Sequence, residues 1–316
     1  MDASISIDRI REASNAIDPV FLHSPQFVSE SLSAHLGVIP ILKVETINPI
    51  RSFKGRGTDY LLHHLAGDRG GIVCASAGNF GQGMAYACRK RERPLTVFAA
   101  LSANPLKVER MRALGATVEL RGADFDEAKE AAKRHAQEND ELYVEDGLLG
   151  AIAEGAGTIA VELTQDPEPL DAVFVPLGNG SLVNGMGTWS KRFSPATRVV
   201  AVCAKTAPSM ALSWKERKPI AASSETIADG IAVRVPVPEA VGIMAGTVDE
   251  VMLVSDEDML GAMRLLIEHA GLVVEPSGAA GVAAMAEVAN EWRGKRVAAV
   301  LTGGNLTQSQ MRDWFF

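Results

Sequence analysis

One lysine and three polar or glycine-rich turns are the residues of this chain with the clearest chemical potential. Lys54 lies within residues 49–57, and the turns are residues 76–83, 178–182 and 302–305. A lysine amine can form a Schiff base with an aldehyde. A glycine-rich turn that opens a helix can hold a phosphate through its backbone N–H groups. Together they are the parts needed to bind an aldehyde cofactor that carries a ring and a phosphate.

Length and composition describe an ordinary globular protein. The chain has 316 residues, of which 47% are hydrophobic and 22% are charged. That length exceeds the usual size of a single core, so two lobes are predicted. The formal net charge of -8 comes from scattered residues of both signs. This pattern argues against a nucleic-acid groove or binding to an anionic membrane, and we expect neither partner.

Cysteine usage and the ends of the chain predict a cytoplasmic protein. Cys74, Cys88 and Cys203 form no metal-type spacing, and each falls in an apolar stretch typical of reduced core residues. Residues 1–4 lack the basic start of a secretion signal, and no run approaches membrane-spanning length. We also expect no regulatory domain after Phe316.

Short apolar runs alternate with amphipathic segments along the whole chain, which predicts an α/β fold with parallel strands and right-handed crossovers. The predicted strands are residues 71–75, 95–99, 116–120, 172–177, 199–202, 251–254 and 296–301. The predicted helices are residues 81–91, 105–114, 124–137, 150–163, 256–269 and 277–290. Helices are also predicted to begin at Lys54 and at the turn of residues 178–182.

In this order the lysine and the three turns resemble the pyridoxal-phosphate-dependent enzymes of fold type II, the tryptophan synthase β-like family. Within it the likeness is to the threonine/serine dehydratase and serine racemase branch. The resemblance implies a two-domain α/β fold with parallel-rich sheets flanked by helices. It also implies a large cofactor-binding domain of residues 1–70 and 147–316, with a small domain of residues 71–146 inserted in it. Pyridoxal 5'-phosphate would lie between the two.

Lys54 is the predicted catalytic residue. The resemblance implies that it holds the cofactor, is displaced by the substrate amine, and then removes the Cα proton. Phe53, next to it, is expected to contact the cofactor. A helix N-terminus disfavours the ammonium form of a lysine placed there, which helps Lys54 to act as a nucleophile. The alternative is a surface lysine that caps a loop.

The turn of residues 76–83 joins a predicted strand to a predicted helix, so its N–H groups can form an anion site. The resemblance assigns substrate binding to Ser76, Ala77, Gly78, Asn79 and Phe80, and assigns to the Asn79 amide a bond with the cofactor's ring oxygen. A helix N-cap is the plainer role for serine or asparagine here, and both roles can hold. Phe80 replaces a histidine that is common in the family.

Ala77 separates elimination from racemisation. Serine racemases have a serine at this place, which serves as the acid/base on the far face of the cofactor. Alanine cannot transfer a proton, so Ala77 favours elimination.

The turn of residues 178–182 is the predicted phosphate cradle, because it follows a strand and opens a helix. It lacks both the Walker ending and the spacing of a dinucleotide site. The resemblance assigns Gly178, Asn179, Gly180, Ser181 and Leu182 to cofactor binding. Asn179 and Ser181 depart from the family's four glycines, and Ser181 can add a hydroxyl donor.

Thr302 ends a predicted strand, and the resemblance implies that its hydroxyl bonds the pyridine nitrogen of the cofactor. The alternative is a strand-end threonine that bonds a turn. A neutral hydroxyl leaves the ring a weaker electron sink, which suits loss of a β-leaving group as the Cα proton departs.

Two further places bear on metal binding and on substrate choice. Residues 203–209 stand where some relatives bind a divalent cation, but thiol, lysine and hydroxyl groups suit a hard cation poorly, so no metal is predicted. Arg51 is either a solvent-facing loop residue or a residue that reaches the substrate and favours an acidic or otherwise polar substrate side chain, such as that of 3-hydroxyaspartate.

The sequence therefore predicts a pyridoxal-phosphate-dependent ammonia-lyase for a small β-hydroxy amino acid such as L-threonine or L-serine, with the β-hydroxyl protonated by the cofactor phosphate. The enzyme would release a 2-oxo acid and ammonia. A serine or hydroxyaspartate racemase and a β-replacement synthase of the threonine or cysteine synthase kind remain alternatives, although Gly55 argues against the latter. A non-catalytic protein that binds the cofactor is another. The resemblance also implies a homodimer.

Overall fold

The computed structural model describes residues 3–68 and 70–315. The predictions that concern Met1, Asp2 and Phe316 lie outside the described residues. In the described part the strands are β1 Gln26–Val28, β2 Ile39–Val44, β3 Ile72–Ala75, β4 Leu95–Ala99, β5 Thr117–Leu120, β6 Leu142–Val144, β7 Ala172–Pro176, β8 Arg198–Ala204, β9 Glu250–Val254 and β10 Arg296–Leu301.

Helices cover both sheets that these strands form. They are α1 Ile7–Ala16, α2 Glu30–Leu36, α3 Lys54–His64, α4 Asn79–Lys90, α5 Pro105–Ala113, α6 Phe125–Glu138, α7 Gly150–Leu163, α8 Ser181–Phe193, α9 Ser209–Glu216, α10 Pro238–Thr247, α11 Asp256–Ala270, α12 Pro276–Glu287 and α13 Gln308–Phe315, with short 3-10 turns at Pro19–Phe21 and Asp229–Ile231. No helix among the described residues is both long and apolar enough to span a membrane.

The strands form one sheet in the order β1-β2-β10-β7-β8-β9 and a second in the order β5-β4-β3-β6. Among the strands of residues 3–68 and 70–315, the β1–β2 pair alone is antiparallel, and every other pair in the two sheets is parallel. The α/β prediction is confirmed. The second sheet is built from residues 72–144 alone, while the first uses the flanking sequence on both sides. This supports the predicted insert at residues 71–146, whose boundaries remain a prediction.

Every strand and helix predicted above is present, with ends that differ by no more than three residues. The helix starts predicted at Lys54 and at the turn of residues 178–182 are present as well. The sequence patterns did not predict the strands β1, β2 and β6 or the helices α1, α2, α9, α10 and α13.

The large sheet is buried on both faces, which explains its nearly continuous apolar strands. On β7, Val173 and Val175 face the cluster that contains side chains of α7 and α8. Phe174, between them, faces the opposite cluster, formed with α11 and α12. The alternation of side chains along a strand thus supplies both cores from one apolar run.

Helix α7 lies against α8 with almost no space between the two backbones. A Cβ on Gly185 of α8 would lie 1.9 Å from the backbone oxygen of Ala153 in α7. Because that neighbour is backbone, it cannot rotate away. Gly185 therefore lets α8, which carries the predicted phosphate turn, pack directly on α7.

The substitution Gly185→Ala tests this contact. We expect it to lower stability by about 1–3 kcal/mol, since an extra methyl group must push two helices apart. Thermal unfolding followed by circular dichroism would measure the loss. The control is Gly242→Ala in α10, where a Cβ meets nothing within 4 Å. It should leave the midpoint unchanged or raise it, and equal losses in the two variants would refute the packing explanation.

Candidate cofactor and active site

The predicted site residues come together around one cavity of about 470 Å³ and a small recess beside it. The cavity is lined by Phe53, Lys54, Ser76, Ala77, Gly78, Asn79, Phe80, Asn179 and Thr302. The recess is lined by Gly178, Gly180, Ser181 and Leu182, and it shares Phe53, Lys54, Asn179 and Thr302 with the cavity. Every residue predicted for the cofactor or the substrate thus faces one of these two spaces.

Several helices begin at this cavity. Lys54 and Asn79 are the first residues of α3 and α4, Ser181 is the first of α8, and Ser277 is the second of α12. The first backbone N–H groups of a helix lack partners within it and carry partial positive charge. The site therefore offers several separate places for anionic groups.

Lys54 projects into the cavity with its side chain 15% exposed. Its Nζ lies 2.6 Å from Oδ2 of Asp146 and 4.6 Å from the centre of the Phe53 ring. The Ser52 hydroxyl accepts a 3.3 Å bond from the backbone N–H of Lys54 and so fixes the start of α3. Lys54 is therefore a cavity residue rather than a surface lysine that caps a loop.

Asp146 is a functional candidate that the sequence analysis missed. Its other oxygen, Oδ1, accepts a 2.7 Å hydrogen bond from the Ser181 hydroxyl, so it links the lysine to the phosphate turn. The next residue, Gly147, has φ +91, and a Cβ there would lie 2.6 Å from the Asn179 oxygen. The available signal was its position, a polar residue two places after a strand of the parallel sheet and just before a glycine.

Asn79 is held from the other side of the cleft. Its Nδ2 donates to Oε1 of Glu275 at 2.6 Å, and its Oδ1 accepts from Nδ2 of Asn305 at 2.8 Å. The N-cap of α4 is Gly78, which has no side chain, so neither predicted residue is the cap. The Ser76 hydroxyl still accepts from the N–H of Gly81, in the first turn of α4, at 2.9 Å. Asn79 is thus positioned by side chains rather than used as a cap.

Glu275 is fully buried beside Asn79. Burial raises the pKa of its carboxyl, and the charge of Asp229 raises it further. Lys107, the N–H of Asn305 and the Asn79 amide oppose that rise. Lys107 also forms an ion pair with Asp229, so the cavity has a polar network between α5 and the loop that contains Asp229.

Thr302 lies directly after β10 and is buried at the cavity wall. Among the described residues its hydroxyl has one partner, the Ser277 oxygen, in a long hydrogen bond of 3.4 Å. Its backbone oxygen accepts from the Phe53 N–H at 3.1 Å, which ties the end of β10 to the start of α3. The backbone of Thr302 thus has the structural role, and its weakly bonded hydroxyl can turn towards a ligand in the cavity.

The residues present fit a pyridine aldehyde that carries a phosphate. Lys54 supplies the primary amine, and Thr302 a hydroxyl on the cavity wall. The recess at the start of α8 supplies backbone N–H donors for an anion. The Ser181 hydroxyl, predicted as a further donor, gives its single hydrogen to Asp146 instead. A Cβ on Gly178 would lie 2.7 Å from the Gly230 oxygen, so the cradle depends on a bare backbone.

Arg51 does not line the cavity. It is exposed at φ 51, and its backbone oxygen accepts from the Gly304 N–H at 3.0 Å. The solvent-facing interpretation is therefore favoured. Within residues 3–68 and 70–315, no three His, Cys, Asp or Glu side chains are grouped to hold a metal ion, and the absence of a metal at residues 203–209 stays a prediction.

Comparison with known proteins identifies the family. Residues 19–303 match the family described as pyridoxal-phosphate dependent enzyme, and the chain belongs to it. It is 34% identical to the L-threonine ammonia-lyase of Thermotoga maritima, over 96% of this chain and 76% of that protein. It is 32% identical to the catabolic L-threonine dehydratase TdcB of Staphylococcus aureus, over 96% and 89% of the two chains.

Solved structures agree. The processed form of threonine deaminase isoform 2 from Solanum lycopersicum superposes with a TM-score of 0.90 at 27% identity, covering 99% of this chain and 94% of that one. Maize serine racemase gives a TM-score of 0.91 at 27% identity, covering 98% and 96%. The predicted family, fold type, cofactor and class of lyase are confirmed.

A buried cluster of charges lies behind Lys54 on the same helix. The guanidinium of Arg56 is fully buried and donates to Glu45 at 2.8 Å and to Glu162 at 2.6 Å. Lys43 donates to the second oxygen of Glu162 at 2.5 Å. Burial opposes ionisation of Glu162, but the hydrogen bonds and charges of Arg56 and Lys43 outweigh it and lower its pKa to about 2.

Glu162→Gln should therefore destabilise the protein in a pH-dependent way. Removing one partner of a buried ion pair costs about 3–5 kcal/mol. Because the pKa of Glu162 falls from 4.5 to about 2 on folding, its contribution is complete above pH 4.5 and disappears as the pH falls towards 2. Urea unfolding should show a large gap from wild type at pH 7 and a smaller one at pH 3. The exposed Glu138→Gln is the control, and a gap independent of pH would contradict the ion-pair explanation.

Proposed function

We propose that the protein is a pyridoxal-phosphate-dependent ammonia-lyase that converts a β-hydroxy amino acid, with L-threonine and L-serine as the leading substrates, to a 2-oxo acid and ammonia. The observation that carries the proposal is the presence of the Lys54 amine and an alanine at residue 77 in one cavity. The names of the relatives matched over most of their length support the same reaction.

Each predicted residue has a task that its position supports. The cofactor, when bound, supplies the conjugated electron sink that acidifies the substrate Cα–H. The Lys54 amine takes that proton. The N–H groups at the start of α4 bind the substrate carboxylate, and those at the start of α8 bind the phosphate. The Thr302 hydroxyl bonds the pyridine nitrogen, and Phe53 packs beside the lysine.

The substitution Lys54→Ala tests the catalytic assignment. We expect 2-oxo acid formation to fall by at least about 10³-fold, because the variant loses its general base and its covalent hold on the cofactor. The assay uses L- and D-serine, L- and D-threonine and 3-hydroxyaspartate. Lys218→Ala, at an exposed position, is the control and should be fully active. Oxo acid from Lys54→Ala at the wild-type rate would exclude the assigned role.

Racemisation is the alternative that a solved relative raises. Racemisation needs proton-carrying groups on opposite faces of the substrate, and Ala77 carries none. The neighbouring hydroxyl of Ser76 accepts from the N–H groups of Gly78 and Gly81 at 3.2 and 2.9 Å, so it is committed to the turn.

A chiral assay separates the two reactions. Incubation of the holoenzyme with L-serine should give pyruvate and ammonia without D-serine, because Ala77 cannot deliver a proton to the second face. D-serine formed as fast as pyruvate would replace the lyase proposal with a racemase. A spectral change with neither product would point to β-replacement.

We further propose a cytoplasmic homodimer. Cys74, Cys88 and Cys203 are free and buried, which suits a reducing compartment. The dimer rests on the family resemblance alone, and sedimentation equilibrium at micromolar concentrations would test it.

A further inference from the structure

Asp146 differs from the other carboxylates of the cavity in what it contacts. Asp124 and Asp126 pair with Arg234, and Asp229 pairs with Lys107. Asp146 contacts the lysine amine itself, at 2.6 Å. Its side chain is 10% exposed, so bulk water has little access to that contact.

Loss of a β-hydroxyl requires a proton as well as a base, because hydroxide is a poor leaving group. The Lys54 amine acquires one when it takes the Cα proton. A separation of about 2.6–3.2 Å between heavy atoms permits direct proton transfer, and Nζ of Lys54 and Oδ2 of Asp146 lie within that range. The chain thus contains an acceptor that can move this proton.

We propose that Asp146 is a second catalytic residue, which receives from Lys54 the proton taken from Cα and delivers it to the departing β-oxygen. This proposal rests on the proposed ammonia-lyase function. The electron pair of the Cα–H bond forms the Cα–Cβ double bond, and the Cβ–O bond breaks with its pair on oxygen. That oxygen takes the proton and leaves as water, which returns Lys54 to the amine and Asp146 to the carboxylate.

Ser181 is a positioning residue in this scheme. Its hydroxyl donates to Oδ1 of Asp146 at 2.7 Å, which leaves Oδ2 directed at Lys54. The family resemblance predicted that the cofactor phosphate protonates the leaving hydroxyl. Asp146 supplies a carrier on the chain itself, already in contact with the amine that holds the proton.

A change of leaving group tests the proposal. Asp146→Asn keeps the size and the acceptor oxygen of the side chain but cannot carry the proton. With L-serine, the turnover number of this variant should fall by about 10²-fold or more, the usual contribution of a general acid. With β-chloro-L-alanine, whose chloride leaves without a proton, it should stay within about threefold of wild type.

Two measurements besides turnover show whether the variant is intact. Titration of the apo variant with pyridoxal phosphate, followed by absorbance, should saturate as in wild type. Exchange of the L-serine Cα proton in D₂O, followed by NMR, should persist, because Lys54 is still present. Asp146→Glu restores a carboxyl group and should recover part of the activity towards L-serine.

Glu145→Gln is the matched control. Glu145 is the adjacent carboxylate, pairs with Lys129 and does not line the cavity, so this variant should match wild type on both substrates. Equal loss on both substrates by Asp146→Asn, or no loss on either, would overturn the role as leaving-group acid. If wild type used β-chloro-L-alanine but no β-hydroxy amino acid, the proposed function itself would fail, and the inference with it.

Discussion

The buried guanidinium of Arg56 is the interaction on which the placement of the site depends. It is wholly removed from solvent, and its charge is balanced by Glu45, just after β2, and Glu162 in α7. Lys43 completes a neutral quartet with them. A buried charge must have its partners in place, since leaving one unpaired costs several kcal/mol. Arg56 therefore fixes the rotation and height of α3 against both the sheet and α7.

That constraint reaches the chemistry because Lys54 lies two residues before Arg56 on the same helix. The planar, forked donor set of arginine binds two carboxylates at defined angles, which a lysine could not do. Helix α7, which carries Glu162, also packs on α8 through Gly185. The lysine at the start of α3 and the phosphate turn at the start of α8 are thus positioned by one shared element.

The site separates positive from negative groups. Helix N-termini supply N–H donors that suit anionic groups, while the carboxylates Asp146 and Glu275 contact Lys54 and Asn79. A β-hydroxy amino acid carries both charges and a hydroxyl, so a substrate of the proposed class can satisfy both sides at once. Asn79, held by Glu275 and Asn305, joins the strand–helix turn of the small sheet to the end of β10.

Local sequence patterns predict those features of the fold and the site that are continuous in the chain. The strand–turn–helix motifs gave the α/β class and the lining residues at 53–54, 76–80, 178–182 and 302, because each motif is continuous in the chain. The patterns missed β2, where Pro40 and Lys43 interrupt the apolar pattern typical of a central strand. Lys43 is buried only because Glu162, 119 positions away, supplies the opposite charge. Asp146 was missed for the same reason, since its partners Lys54 and Ser181 are distant in sequence.

The arrangement of proton-carrying groups explains why elimination is favoured over return of the proton. Lys54 and Asp146 touch each other, so the base and the leaving-group acid that we propose are neighbours. Ala77, on the β3–α4 turn, contributes no such group. In the proposed scheme, a proton taken from Cα has a short path to the leaving oxygen through Lys54 and Asp146. Ala77 cannot donate a proton to the opposite face of Cα, so the racemised amino acid does not form. The selectivity for one reaction over the other thus depends on which positions hold titratable side chains, within a fold that both kinds of enzyme share.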